Sequence, residues 1–344
     1  MRVYVELSGE APSLASAEAE AAAEAIGGGP AADAVDLPGT RAVELASARD
    51  ASRLAARLAL ARRCLELRAE AAAVGDTTER EGRTGHAAAF RRLGRPTGGG
   101  DADLLELGRR YKHGGGRIDL ERPERCFWLA RSTEGIDVLL EEIATVDRPA
   151  AARRRMPLLP FQRPVSLPPR LARAAANLAR VRPADRVVDP FVGTGALLAE
   201  AGLLGGRTYG VDLDAEMVRG ALRNFAHLKV VAEELRVGDA GEVEFSEPAA
   251  PFDSVLTDPP YGRSSSTGGE TADALVLRVL PRWAERVRPG GRVVVVSPAD
   301  AARLSAPWEL RTAVPVRVHR SLTREFRVYE RSEAPGGPIS QRPA

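Results

Sequence analysis

From residue 171 onward, short apolar runs alternate with amphipathic ones, and four of the apolar runs end in an aspartate. The order is "LARAAANLARV" as helix, "DRVVDPF" as strand, "GALLAEAGLLG" as helix, "TYGVDLD" as strand and "AEMVRGALRNFAHL" as helix. Two strands, "LRVGDA" and "FDSVLTDPPYG", follow, and the helix "ADALVLRVLPRWAERV" and the strand "GGRVVVVSP" complete the series. Strands separated by helices at this spacing predict a doubly wound, largely parallel sheet, because parallel neighbours need a crossover connection. The last stretch, "VPVRVHRSLTREFRVYER", reads as two further strands that close one sheet edge antiparallel. The fold class is therefore α/β, a Rossmann-like sheet at the carboxyl terminus. Residues 332–344, rich in proline and glycine, read as a disordered tail.

The first 147 residues follow a different rhythm. "RVYVEL" alternates like a strand, "APSLASAEAEAAAEAI" reads as a helix capped by Ser13, and "GGGP" stops it. A strand "RAVELAS" and a helix "ARDASRLAARLALARR" follow. From Cys64 the sequence gives "CLELRAE", a polar segment, "AAAFRRLGR", the helix "DADLLELGRRY", then "GRIDLE", "CFWLARS" and "IDVLLEEIA". This order predicts ferredoxin-like α+β layers, divided into a unit over residues 1–62 and a second over 63–147. Between the halves, residues 148–165 are dense in proline and arginine and predict a basic linker. Ring-locked residues at that density fit neither a helix nor a central strand. The last domain is expected over residues 166–331.

At 344 residues, 44% hydrophobic and 28% charged, the chain can bury real cores. Lys112 and Lys229 are the only lysines among 49 basic residues, and a formal charge of +2 leaves a local arginine-rich face open for polyanions. Cys64 and Cys126 form no CxxC pair and the four histidines are scattered, so neither a metal site nor a disulfide framework is expected. The start "MRVYVELSGE" holds charges where a signal peptide needs an apolar run, and no long uncharged stretch follows. A cytoplasmic protein is the expectation.

In an open parallel sheet, ligands bind at the carboxyl ends of the strands, where the aspartates fall. In "DPFVGTG", Asp189 ends the first strand, and Gly193 and Gly195 let backbone approach a ligand. The stretch is deficient as a dinucleotide fingerprint, because a third glycine is required where Leu198 stands. An acid within the loop would repel a pyrophosphate. It suits the positive amino group and sulfonium of S-adenosylmethionine. Asp212, 23 residues on, stands where an acid commonly takes ribose hydroxyls, and Asp239 could accept from an adenine amine. Any one of these acids alone fits a helix cap or a turn.

The fourth strand ends in "TDPPYGRSSS". An exocyclic amine on a nucleobase is a poor nucleophile, its lone pair delocalised into the ring. Acceptors placed at its protons, the Asp258 carboxylate and the Pro259 carbonyl, favour a tetrahedral nitrogen with its lone pair aimed at a methyl group. Pro259 and Pro260 hold the backbone extended and remove competing amides. Tyr261 offers a ring on which a flipped base can stack.

Residues from about 160 to 330 resemble the S-adenosylmethionine-dependent methyltransferases with an acid-or-amide, Pro-Pro, aromatic tetrad. More narrowly, they resemble the tRNA guanine-N2 methyltransferases that modify guanine 10 and carry an amino-terminal THUMP domain. The resemblance rests on "RPVSLPPRLARAAANLARVRPADRVVDPFVGTGALLAEAGLLGG", "TDPPYGRSSS" and "HRSLTREFRV". It implies that Asp189, Phe191, Gly193, Thr194 and Gly195 bind the methionine end of the cofactor, Asp212 the ribose, and Asp239 with Ala240 the adenine. It also implies that Asp258, Pro259, Pro260 and Tyr261 hold the target base, and that residues 63–147 form a THUMP-like RNA-binding domain with tRNA as partner. Neither metal nor membrane is implied, and the chain is expected either as a monomer or with a small activating partner. Val192 and Ala196 stand where relatives show cysteine and glycine, and Gln162-Arg163 where an aromatic-histidine pair is usual. Rival functions are a DNA or rRNA amino-methyltransferase with the same tetrad, an RNA-binding factor without catalysis, and a nicotinamide dehydrogenase.

Overall fold

The computed structural model describes residues 1–94, 102–164, 166–246, 251–260, 271–298, 303–305, 308–319 and 322–332. It divides into two compact units, Met1–Arg148 and Pro149–Ala344.

The first unit runs β1 (Arg2–Leu7), α1 (Pro12–Ala25), β2 (Gly29–Pro30), β3 (Thr40–Glu44), α2 (Ala48–Arg57), β4 (Ala61–Glu70), α3 (Ala73–Gly82), β5 (Ala87–Arg92), α4 (Ala102–His113), β6 (Arg117–Ile118), β7 (Arg125–Arg131) and β8 (Asp137–Thr145). Its sheet has the order β2-β3-β1-β4-β8-β7-β5-β6. The division expected near residue 62 falls inside β4, which pairs antiparallel with β1 on one side and β8 on the other. One sheet thus runs through both stretches. The first helix begins at Pro12 after an uncapped Ala11, so Ser13 sits inside the first turn instead of capping it; proline supplies the start through its fixed φ. Glu18, fully buried on α1, accepts the Ala59 and Leu60 amides, both at 2.9 Å, and anchors the entry to β4. The polar segment after β4 forms α3, held close to α4: a Cβ at Gly82 would lie 2.1 Å from the Tyr111 carbonyl oxygen.

The second unit starts with α5 (Arg148–Arg153), whose first residue belongs to the unit before. There follow α6 (Pro169–Leu178), β9 (Arg186–Asp189), α7 (Ala196–Leu203), β10 (Arg207–Asp212), α8 (Ala215–Leu228), β11 (Ala232–Val237), β12 (Phe252–Thr257), α9 (Ala272–Glu285), β13 (Val287–Pro298), β14 (Trp308–His319) and β15 (Leu322–Arg331). The strand order is β11-β10-β9-β12-β13-β15-β14. Strands β9 to β13 pair in parallel, and β15 enters antiparallel between β13 and β14. The predicted closing pair is therefore present. The progression reverses direction at β9, which makes its carboxyl end the topological switch point. One face of the sheet packs Tyr209, Val255, Val293 and Val295 against α9, whose Trp283 is fully buried and donates its indole N–H to the Ala240 carbonyl at 2.8 Å.

Much of the stretch read as a linker is folded onto this second unit. Glu200, 2% exposed on α7, accepts from Arg154 at 2.7 and 3.1 Å and from Arg173 at 2.7 Å. Leaving such a buried carboxylate with fewer cations would be costly, so Arg154 holds the chain down. Phe161 is also buried and lies over Gly220, where a Cβ would meet its ring at 2.1 Å. The proline content that excludes helix and strand does not exclude packing.

Candidate active site

Asp189 closes β9, a strand buried at every residue, and is itself 2% exposed. Its Oδ1 accepts the Phe191 amide at 2.9 Å and the Thr257 hydroxyl at 2.8 Å, the latter from the end of neighbouring β12. Two further contacts fold the loop that follows. The Val192 amide donates to the Val211 carbonyl at 2.8 Å, and the Gly193 amide to Asp212 Oδ2 at 2.8 Å. Gly193 and Gly195 have φ of 50° and 82°, and a Cβ at Gly195 would strike Phe225 at 2.6 Å. Only glycine meets both demands at Gly195.

Asp212 closes β10, and its other oxygen accepts the Asp214 amide at 2.9 Å while Asp214 caps α8. The carboxylate therefore braces two turns, the loop after β9 and its own. Thr194 is tied down from outside the sheet: its hydroxyl lies 2.9 Å from the Ser166 hydroxyl, and its carbonyl accepts from Asn224 at 3.0 Å. Asn224, 1% exposed, also donates to the Phe161 carbonyl at 3.0 Å and accepts the Phe161 amide at 2.9 Å.

The remaining two acids are paired with arginines. Asp239, after β11, accepts the Gly241 amide at 2.6 Å and both ends of the Arg278 guanidinium at 2.9 and 3.1 Å, beside buried Ala240. Arg278 is the main cause that holds the Asp239 carboxyl below its ordinary range. Asp258, after β12, accepts from Arg324 Nη1 at 2.7 Å; Pro259 behind it is buried and Pro260 half-buried. Tyr261 lies outside the described residues.

Burial pushes the Asp189 carboxyl up to about 7, with the negative charges of Asp258 and Asp212 adding to it against the bonds from Phe191 and Thr257. Asp212 is also raised, chiefly by burial. The end of β9 is thus a glycine-lined place where the charges of Asp212 and Asp258 oppose ionisation of Asp189.

Residues 158–324 match the UPF0020 family, described as RMKL-like, methyltransferase domain. This segment is thus similar to a methyltransferase domain. The chain is 36% identical over 220 residues to the tRNA (guanine(10)-N2)-dimethyltransferase of Methanothermobacter thermautotrophicus, covering 62% of this chain and 64% of that one. It is 38% identical over 175 residues to the Pyrococcus abyssi protein of the same name, covering 50% and 52%. The matches thus span less than two thirds of those relatives' length. In fold, the chain is similar to TrmN from Thermus thermophilus, with a TM-score of 0.50 and 21% identity over 96% of this chain and 100% of that one.

Within residues 158–324, the sequence does not reveal three residues that brace strand-end acids, Thr257, Arg278 and Arg324, or Asn224, which holds the loop after β9 through the Thr194 carbonyl. Thr257 had a signal, a hydroxyl ending an apolar strand directly before Asp258. Arg324 had one too, standing within "HRSLTREFRV". Among the described residues, no group of three or more His, Cys, Asp or Glu is placed to hold a metal, and no helix is long and apolar enough to cross a membrane.

Proposed function

We propose that the chain transfers a methyl group from S-adenosylmethionine to the exocyclic N2 of a guanine in tRNA, with guanine 10 as the target, in the cytoplasm. The observation that carries this reading is the hydrogen bond from Thr257 to Asp189. It sets the Asp258-Pro259-Pro260 stretch beside the loop suited to the cofactor's methionine end.

The residues fit the cofactor. Its ammonium and sulfonium charges would offset the burial and like charges that disfavour ionisation of Asp189. Asp189, Phe191, Gly193, Thr194 and Gly195 would hold the methionine end, Asp212 the ribose hydroxyls, and Ala240 with Asp239 the adenine. Asp239 would share its carboxylate with Arg278 in that role. When bound, the cofactor supplies an electrophilic methyl group.

The protein's own part is orientation. Asp258 and the Pro259 carbonyl would accept the two N2 protons and turn the lone pair toward the methyl carbon, with Pro260 fixing the backbone and Tyr261 stacking on the base. The proton shed by the alkylated amine leaves to solvent. Residues 63–147, read as THUMP-like, would receive the tRNA, and the names of the relatives support that substrate.

The test is nucleoside mass spectrometry of a tRNA transcript incubated with the full chain and S-adenosylmethionine. N2-methylated guanosine, lost when guanine 10 is replaced, is expected. Methyl groups on adenine or cytosine, or none on tRNA, would overturn the reading.

A further inference from the structure

The start of β15 reaches the site by virtue of strand direction. Because β15 runs antiparallel to β13, its first residues lie at the carboxyl ends of the parallel strands; Arg324 pairs with Pro298, the last residue of β13. From there the side chain passes the end of β13 and meets Asp258 after β12, two strands away in the sheet. Arg324 is only 4% exposed, and the Asp258 side chain is 18% exposed. Its neighbour along the strand, Arg327, is fully buried and donates instead to the Pro298 carbonyl at 3.3 Å and to Glu325. Arg324 is thus aimed at the tetrad.

We propose that Arg324 is the positioning residue that fixes the Asp258 carboxylate for the methyl-accepting amine, an inference that rests on the function proposed above. An aspartate carboxylate turns easily about its last torsion, whose preference is broad. A guanidinium with a planar fork and a permanent charge pins one oxygen and so sets the direction of the other. Asp258 is then an acceptor that orients the amine. The partnership also explains why the tetrad and the terminal stretch "HRSLTREFRV" occur in one chain: the second supplies the cation that the first needs.

The test is a double-mutant cycle read by single-turnover methylation of tRNA, with cofactor affinity by calorimetry and folding by thermal melting. Arg324→Gln should slow methyl transfer by about ten- to a hundredfold, with cofactor affinity and the KM for tRNA changed by less than about threefold. Arg324→Lys, which keeps the charge without the fork, should recover part of the rate and covers the case in which the glutamine variant does not fold. In an Asp258→Asn background, Arg324→Gln should cost less than about threefold more, because the residue acts through Asp258. A purely structural arginine predicts losses that multiply; that result, or a glutamine or lysine variant as fast as wild type, would overturn the inference while wild-type activity upheld the function. A wild type that methylates no guanine in tRNA would remove the function and the inference together.

Discussion

Asn224 and Phe161 are joined in both directions, the side-chain amide donating to the Phe161 carbonyl at 3.0 Å and accepting the Phe161 amide at 2.9 Å. The same amide group holds the Thr194 carbonyl. One buried side chain on α8 thus joins the proline-rich segment before α6 to the loop after β9.

Replacing Asn224 by alanine should therefore do two things. Backbone groups of Phe161 and Thr194 lose buried partners, at about 1 to 3 kcal/mol for each left unsatisfied, so unfolding in denaturant should show a loss of about 2 to 4 kcal/mol. The loop also loses its outer brace, and S-adenosylmethionine affinity should fall by about tenfold in calorimetry. An unchanged denaturation midpoint would show that the segment is not held through this residue.

A second expectation follows from Asp189. Its ordinary value of 3.8 is raised to about 7, chiefly by burial. The fold disfavours the ionised form, so this group's contribution to stability is full below the unfolded value and is lost as pH climbs through 7. Binding of a positive ligand runs the other way, since it needs the ionised form. Affinity for S-adenosylmethionine should rise by up to about tenfold between roughly pH 5.5 and 6.5 and flatten above about 7. Asp189→Asn should bind weakly with no such slope. A flat wild-type profile over the acid range would mean that Asp189 does not face the ligand's charge.

Legibility in the sequence followed the range of the interaction. The strand-end placement of Asp189, Asp212, Asp239 and Asp258 could be read because alternation of apolar runs and helices sets the parallel sheet, and each acid ends its own strand or follows it within two residues. Arg324 could not, since it lies 66 residues from Asp258 and reaches it only because β15 inserts between β13 and β14. Asn224 was hidden for a related reason: on its helix it is one polar residue among several, and its partners are 63 and 30 residues away. The helix α3 escaped because "GDTTEREG" has poor helical propensity and is held by packing against α4. Arg278 changes the meaning of Asp239, which reads as an open acceptor in the sequence and is an ion-paired one in the fold.

The last expectation concerns the tetrad. Asp258→Asn keeps the shape of the side chain and removes its charge, leaving Arg324 opposite an amide. In the transition state for methyl transfer the accepting nitrogen gains positive charge, and the carboxylate is worth more there than in the ground state. Turnover should fall by about two to three orders of magnitude in single-turnover methylation of tRNA. Cofactor affinity should barely change. The Asp258 charge is one of those that raise Asp189, so its removal makes Asp189 easier to ionise, and this opposes the loss of one negative charge near a positive ligand. Weaker binding together with slower turnover would instead point to a collapsed site, and a variant as fast as wild type would put the chemistry elsewhere. A loss in rate with cofactor affinity held is the outcome that a carboxylate acting on the accepting amine predicts.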